Sequence, residues 1–328
     1  MDEQLTLQDK TAAGLDHLSS AVGSIKEQFA KIIVGQGDVI DLLIAAVIAD
    51  GHVLIEGVPG VAKTLMAKIL ARTISSGFSR IQFTPDLMPS DIIGTSVFNV
   101  KTSEFEFNRG PIFSNIILID EINRAPAKTQ SALFEVMEER QISIDGNTYL
   151  MEEPFIVFAT QNPIEQEGTY RLPEAELDRF VFKVDITYPS LEEEVKILLE
   201  LHDRKKVNDL SMIEPVITKE KLSFMRQAVR QIHIDKNIAR YAAEIVVNTR
   251  NNKDIFLGGS PRASLSIISG AKALAAMKGR EFVTPDDIRE IVFPALRHRI
   301  QLTAEKEMEG ATPHEVLKSV IDKIEVPR

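Results

Sequence analysis

An apolar run, Val53-Leu54-Ile55, leads into Gly57-Val58-Pro59-Gly60-Val61-Ala62-Lys63-Thr64, and a helical pattern, Leu65-Met66-Ala67-Lys68-Ile69-Leu70, follows at once. Strand, glycine-bearing loop and helix in that order are the setting of a phosphate-binding loop. The chemistry asks for these residue types. Glycines let successive backbone N–H groups turn inward around phosphate oxygens, and the helix N-terminus adds its positive end. Lys63 would reach the β- and γ-phosphates and the Thr64 hydroxyl would ligate Mg²⁺. The whole stretch from Gly57 to Leu65 is therefore a candidate nucleotide contact. Ala62 stands where the strict motif has glycine. The competing reading is an ordinary strand-to-helix turn, and the flanking strand and helix weigh against it.

A loop of this kind needs a parallel sheet behind it, and the chain up to about Tyr188 supplies one. Short unbroken apolar runs recur at Ile116-Ile117-Leu118-Ile119, Phe155-Ile156-Val157-Phe158 and Val181-Phe182-Lys183-Val184. Unbroken rather than alternating runs mark strands buried on both faces, and helical patterns lie between them. A smaller run, Ile81-Gln82-Phe83, predicts one more short strand after a polar bridge over Ser75 to Arg80. After Pro189-Ser190 the texture becomes helical only. Leu191-Glu192-Glu193-Glu194-Val195 opens a helix with acids in its first turn, where the helix dipole favours them. Thr284-Pro285-Asp286-Asp287 and Thr312-Pro313-His314-Glu315 read as two further helix starts. At about 150 residues per domain, 328 residues suit two domains. The expectation is a P-loop α/β core over 1–188 and a smaller all-helical domain over 189–328.

Two further strand ends carry polar chemistry. The run Ile116–Ile119 ends in Asp120-Glu121, and open α/β sheets bind ligands at that edge. Asp120 could hold Mg²⁺, directly or through water, and Glu121 could polarise a water for in-line attack on the γ-phosphate. The run from Phe155 ends in Thr160-Gln161-Asn162-Pro163, where Asn162 could orient that water or Asn-Pro could simply begin a turn. In Leu177-Asp178-Arg179-Phe180, Arg179 is either a solvated surface residue or an arginine that reaches a neighbouring subunit's γ-phosphate.

Composition closes off other chemistries. With no cysteine there are no disulfides, thiolate metal sites or thiol nucleophiles. The formal net charge is −10, tryptophan is absent and there are 4 tyrosines, which argues against a nucleic-acid footprint or base-stacking platform. The opening Met1-Asp2-Glu3-Gln4 resembles no secretory leader. The greasiest stretch, Val39 to Ala49, contains Asp41 and is far short of the ~20 residues of a membrane span. No membrane insertion and a cytoplasmic location are expected.

The ordered set GVPGVAKT, LIDEINRAP, FATQNP, EAELDRF and SPRA resembles the AAA+ ATPases and, within them, the MoxR family, over nearly the whole chain. The resemblance implies an ATP- and Mg²⁺-dependent ATPase with an AAA+ core and a helical lid. It makes Lys63 and Thr64 Walker A, Asp120 and Glu121 Walker B, Asn162 sensor 1 and Arg179 the arginine finger. Arg262, in Ser260-Pro261-Arg262-Ala263, looks like sensor 2, acting on its own or a neighbour's nucleotide. Val34-Gly35-Gln36 looks like the segment beside the adenine, and alanine at position 62 fits this family. The segment of about 83–113 resembles the helix-2 insert of this clade. Gln141 to Tyr149 reads independently as a hairpin on its Asp145-Gly146 turn, and its place matches the pre-sensor-1 hairpin, about 139–154. The resemblance further implies a homo-oligomeric ring, hexameric, with a chaperone-like role on protein clients, above all von Willebrand A domain proteins. A magnesium-chelatase-like subunit, a nucleic-acid-dependent motor and a non-hydrolysing scaffold are the rivals.

Overall fold

The computed structural model describes residues 7–162, 169–204 and 209–327. The six residues that open the chain and Pro163, which completes the Asn-Pro step, lie outside them.

Strands β1 (His52–Gly57), β2 (Phe78–Gln82), β3 (Gly94–Asn99), β4 (Glu104–Arg109), β5 (Ile116–Asp120), β6 (Gln141–Ile144), β7 (Asn147–Leu150), β8 (Ile156–Gln161) and β9 (Phe180–Ile186) belong to the first part of the chain. Five of them form one parallel sheet in the order β2-β5-β8-β1-β9. The unbroken apolar runs are explained by burial on both faces. Val53, Ile55, Leu118, Phe158 and Phe182 point into one buried cluster, and Leu54, Ile117, Ile119, Val157 and Phe180 into another. Helices α1 (Leu7–Ala30), α2 (Gly37–Ile48) and α3 (Lys63–Thr73) supply residues to the first cluster. Helices α4 (Pro89–Ile93) and α5 (Ala127–Glu139) supply residues to the second.

Strand β2 begins at Phe78, so Ser79 and Arg80 belong to the strand and not to a polar bridge. A strand at the sheet's edge tolerates polar side chains that an inner strand would have to bury. The insert folds as α4 followed by the antiparallel hairpin β3–β4, and β6–β7 pairs across Asp145 and Gly146. Both turn residues have left-handed φ, 52° and 78°, as a two-residue I′ turn demands. The two hairpins meet through Phe107 and Tyr149, with ring centroids 4.6 Å apart.

Later elements are the short α6 (Glu174–Leu177), then α7 (Leu191–Arg204), α8 (Lys219–Arg230), α9 (Lys236–Arg250), α10 (Pro261–Met277), α11 (Pro285–Leu296), α12 (Ala304–Met308) and α13 (Pro313–Ile321). Thr284 with Asp287, and Thr312 with Glu315, form reciprocal capping boxes at the two anticipated helix starts. The segment after Pro189 is not purely helical. Strands β10 (Ile255–Leu257) and β11 (Gln301–Leu302) form an antiparallel ribbon. Segments of 3 and 2 residues are too short for a period to be legible. Helix α1 packs on α8 and α10 and also on α3 and α2, so the chain's first helix bridges later helices and the helices of the core. Among the described residues no helix is long and apolar enough to cross a membrane.

His52, at the foot of β1, is buried between Val157 N–H, which donates to its Nδ1 (3.0 Å), and Met137 O, 3.2 Å from its Nε2. Nδ1 must then be bare and Nε2 protonated, so both partners fit only the neutral ring. Burial, reinforced by Arg140, lowers its pKa from 6.5 to about 4. His298, buried beside Arg299, is shifted in the same direction. The unfolded chain takes up the His52 proton first, so the stabilisation is complete above about pH 6.5 and is lost as pH falls towards about 4. At about 1.4 kcal/mol per pH unit, His52 contributes about 3 kcal/mol. Urea unfolding at pH 7.5 and pH 4.5 should show that loss. A His52→Gln chain should show a smaller one, and equal losses in the two chains would disprove the assignment.

Candidate active site

The loop after β1 curls around one end of α3. Gly60 and Ala62 both lie in the left-handed region, at φ 87° and 60°, and Ala62 is the residue that caps α3. That backbone is why the strict motif has glycine there. An alanine costs about 1–2 kcal/mol in this conformation. Gly57 is constrained by space instead, since a Cβ there would sit 2.8 Å from Ile186 O. Lys63 Nζ donates to Gly57 O at 2.7 Å, which folds the lysine back over the loop.

A cavity of about 520 Å³ opens on this loop. Its wall contains Gly60, Val61, Ala62, Lys63, Thr64 and Leu65 from the loop and helix, Val34 from the segment before α2, and Asp120 from β5. Gly57, Val58, Pro59 and Gly35 lie outside that wall, although Gln36 beside Gly35 belongs to it. The far side is closed by Pro189, Ile197 and Glu200 at and within α7, and by Leu210. The sequence did not point to these four. No motif links them to the loop, and only the return of the chain over the sheet edge brings them there.

The acidic pair is held by neighbours that topology chooses. Asp120 is buried, and its Oδ2 accepts from Arg80 Nε at 2.6 Å while its Oδ1 accepts from Thr160 Oγ1 at 3.2 Å. Glu121 has φ 56°, and its N–H donates to the same Thr160 oxygen at 3.0 Å. Its Oε2 accepts from Gln82 Nε2 at 2.8 Å and from Arg124 Nη1 at 2.9 Å. Parallel registers create this set, with Gln82 level with Asp120 and Ala159 level with Ile119. Asn162 is buried immediately after β8, at the same edge of the sheet.

The donor set suits Mg²⁺. Thr64 and Asp120 both line the cavity, and each has a hard oxygen to offer. Among the described residues no group of three or more His, Asp or Glu converges into a cage. Mg²⁺ carried with a nucleotide needs none, because phosphates and waters complete its shell.

Arg179 and Arg262 lie elsewhere. Arg179 immediately precedes β9, whose Phe180 pairs with His52 while its Ile186 pairs with Gly57. The arginine is thus a strand's length, about 20 Å, from the phosphate loop along the sheet. Arg262 stands at the N-terminus of α10 on the same edge. Both guanidinium groups bind one carboxylate, Glu138 of α5. Arg179 Nη1 donates to its Oε2 at 2.9 Å, Arg262 Nη1 donates to that oxygen at 3.1 Å, and Arg262 Nη2 donates to Oε1.

A buried bracket fixes the pair. Ser260 Oγ donates to Asp178 Oδ2 at 2.7 Å, and Arg299 Nε donates to Asp178 Oδ1 at 2.6 Å. Arg299 also donates to Phe180 O and Ser266 Oγ. Burial lowers the Arg299 pKa, and its ion pair with Asp178 opposes that shift. Glu138, in the charged run that ends α5, and Arg299, in the turn after α11, carried no sequence signal.

Comparison with known proteins agrees with this construction. Residues 52–182 match the model of the ATPase family associated with various cellular activities (AAA), and residues 247–320 match the AAA lid domain. An uncharacterized protein YeaC of Bacillus subtilis is 45% identical over 95% of this chain and 97% of its own length. Chaperone MoxR1 of Mycobacterium tuberculosis is 41% identical over 97% of this chain and 84% of its own. The crystal structure of a protein from Cytophaga hutchinsonii, provisionally described as an ATPase, superposes with a TM-score of 0.88 at 38% identity and covers 96% of this chain and 98% of that one. Phosphate loop, acidic strand end, parallel sheet, helical lid and these relatives agree: the chain belongs to the MoxR family of AAA+ ATPases, enzymes that hydrolyse ATP.

Proposed function

We propose that this ATPase is Mg²⁺-dependent and works as a ring, hexameric by family likeness, hydrolysing ATP between subunits to remodel or mature partner protein complexes in the cytoplasm. The observation that carries the reading is the pair Arg179 and Arg262, bound to one carboxylate about 20 Å from the phosphate loop. At that distance neither reaches the cavity of its own chain, so we assign both to a neighbour's nucleotide. The core is taken as 1–188, with the insert of about 83–113 and the hairpin of about 139–154, and the lid as 189–328. The two hairpins are the proposed client contacts, and von Willebrand A domain proteins the proposed clients.

Each residue then has a task. Backbone N–H groups from Gly60 to Thr64 hold the phosphates, and Lys63 exchanges the Gly57 carbonyl for phosphate oxygens. Thr64 and Asp120 would hold Mg²⁺, whose charge offsets that of the phosphates when it is bound. Glu121 accepts the proton of the attacking water and Asn162 orients it. Arg179 and Arg262 neutralise the charge on the transferring group from across the interface.

Hydrolysis per subunit should rise steeply with protein concentration and level off once rings form; a rate independent of concentration, in a protein that sediments as a monomer, would refute the reading. Lys63→Ala should abolish binding of a fluorescent ATP analogue, because it removes the charge that reaches the β- and γ-phosphates. No feature of the site favours the magnesium-chelatase-like role or the nucleic-acid motor. Stimulation by DNA, or copurification with a tetrapyrrole enzyme, would bring either one back.

A further inference from the structure

Asp120 already has a cation of the chain's own. Arg80, level with Leu118 on strand β2, reaches forward along the strand and donates from Nε to Asp120 Oδ2 at 2.6 Å. The two side chains differ in freedom: that of Asp120 is 11% exposed and that of Arg80 is 51% exposed. Strand β2 is the rim of the sheet, and Arg80 lies outside the wall of the nucleotide cavity that Asp120 lines. The other carboxylate oxygen is held separately. Oδ1 accepts from Thr160 Oγ1 at 3.2 Å, and Thr160 is buried and accepts in turn from Glu121 N–H.

A buried carboxylate is costly without a counter-charge, and Arg80 supplies that charge from within the chain. A divalent cation carried in with a nucleotide would want the same oxygens. Removing Arg80 then has two opposed effects on that cation. An outer partner that orients a ligand is worth about 10–100-fold in metal affinity. An arginine against an aspartate lowers the carboxylate's affinity for a competing positive charge, by about 10–10³-fold for a proton. Thr160 decides between them. It stays in place within the sheet and holds Oδ1 with or without Arg80, so orientation survives and the charge effect remains. Exposure of the guanidinium screens that effect towards the lower end of its range.

We infer that Arg80 is a stand-in counter-ion for Asp120, one that neutralises the carboxylate in the protein without metal, yields it to Mg²⁺, and so sets how much Mg²⁺ the site requires. The inference rests on the reading of Asp120 as a Mg²⁺ ligand. A half-exposed arginine on a rim strand can leave for water, which the buried Arg299 cannot.

The probe is Mn²⁺, whose free-ion paramagnetic resonance signal disappears on binding, titrated into the full chain in complex with a non-hydrolysable ATP analogue. Arg80→Gln should bind Mn²⁺ about tenfold more tightly than the native chain. Arg80→Lys, which keeps the charge and loses the fork, should fall between the two. Equal or weaker Mn²⁺ binding by Arg80→Gln would overturn the inference.

Thermal unfolding reads the other half. Without metal, Arg80→Gln should melt below the native chain, and the gap should close once Mn²⁺ and the analogue are bound. A gap of the same size in both states would mark a purely structural ion pair and would also overturn the inference. Asp120→Asn keeps the two readings apart. If it binds Mn²⁺ as the native chain does, the Asp120 assignment falls. If it loses Mn²⁺ while Arg80→Gln gains none, that assignment stands and the stand-in alone is refuted.

Discussion

Arg179→Ala lowers the ATPase rate of the assembled protein by about 10³–10⁵-fold, the range an arginine supplied across an interface provides in related phosphoryl-transfer systems. Binding of ATP to the isolated subunit stays unchanged, because Arg179 is outside its own cavity wall. The physical reason is charge. Lys63 comes from within the chain, and the far side of the transferring phosphoryl group needs a cation from outside it. Arg262→Ala should act in the same direction, since it shares Glu138 with Arg179. Mixing Arg179→Ala chains with Glu121→Gln chains provides a control. A working interface then needs one intact arginine edge facing one intact acidic edge, so partial activity should return. A full rate in assembled Arg179→Ala protein, or no recovery on mixing, would contradict the assignment.

Glu121→Gln keeps ATP bound and lowers turnover by about 10²–10⁴-fold, the usual contribution of a positioned general base. The amide retains an oxygen that can accept from Gln82 and Arg124, so the local hydrogen bonds can survive while the proton acceptor is lost. Equilibrium binding together with single-turnover hydrolysis separates the two effects. Loss of binding would show that Glu121 shapes the site rather than serving its chemistry. Contrast with Lys63→Ala, which should lose ATP altogether, makes the pair diagnostic. A pull-down with Glu121→Gln should also hold clients in place, because the ATP-bound state persists.

Much of this molecule was legible residue by residue. Gly57 to Thr64 between a strand and a helix announced a phosphate loop. Four apolar residues before Asp120-Glu121 announced a buried strand opening at the ligand edge, and Asp145-Gly146 announced a hairpin. These signals are local: each depends on backbone conformation or burial over fewer than about ten residues, which sequence patterns record. Ala62 shows the limit of such reading. Its departure from the strict motif was visible, yet its left-handed φ of 60°, the reason the position asks for glycine, belongs to the folded loop.

What the sequence determined by itself was the class of fold and the chemistry of its site: a parallel sheet, a phosphate loop, an acidic strand end, and oxygen, lysine and arginine groups in place of thiolates. Tertiary structure alone decided which side chains meet. Parallel register put Thr160 between Asp120 and Glu121 and set Gln82 beside them, although the partners are 39 residues or more apart in sequence. Folding of the lid against the foot of β9 brought Arg262 to Glu138, 124 residues away, and so placed both arginines at the edge opposite the phosphates. Distances between residues so far apart depend on strand order and helix packing, which no local pattern encodes, so the sequence leaves Arg179 open between a surface charge and a finger while the fold pairs it with Arg262 on Glu138, away from its own phosphate loop.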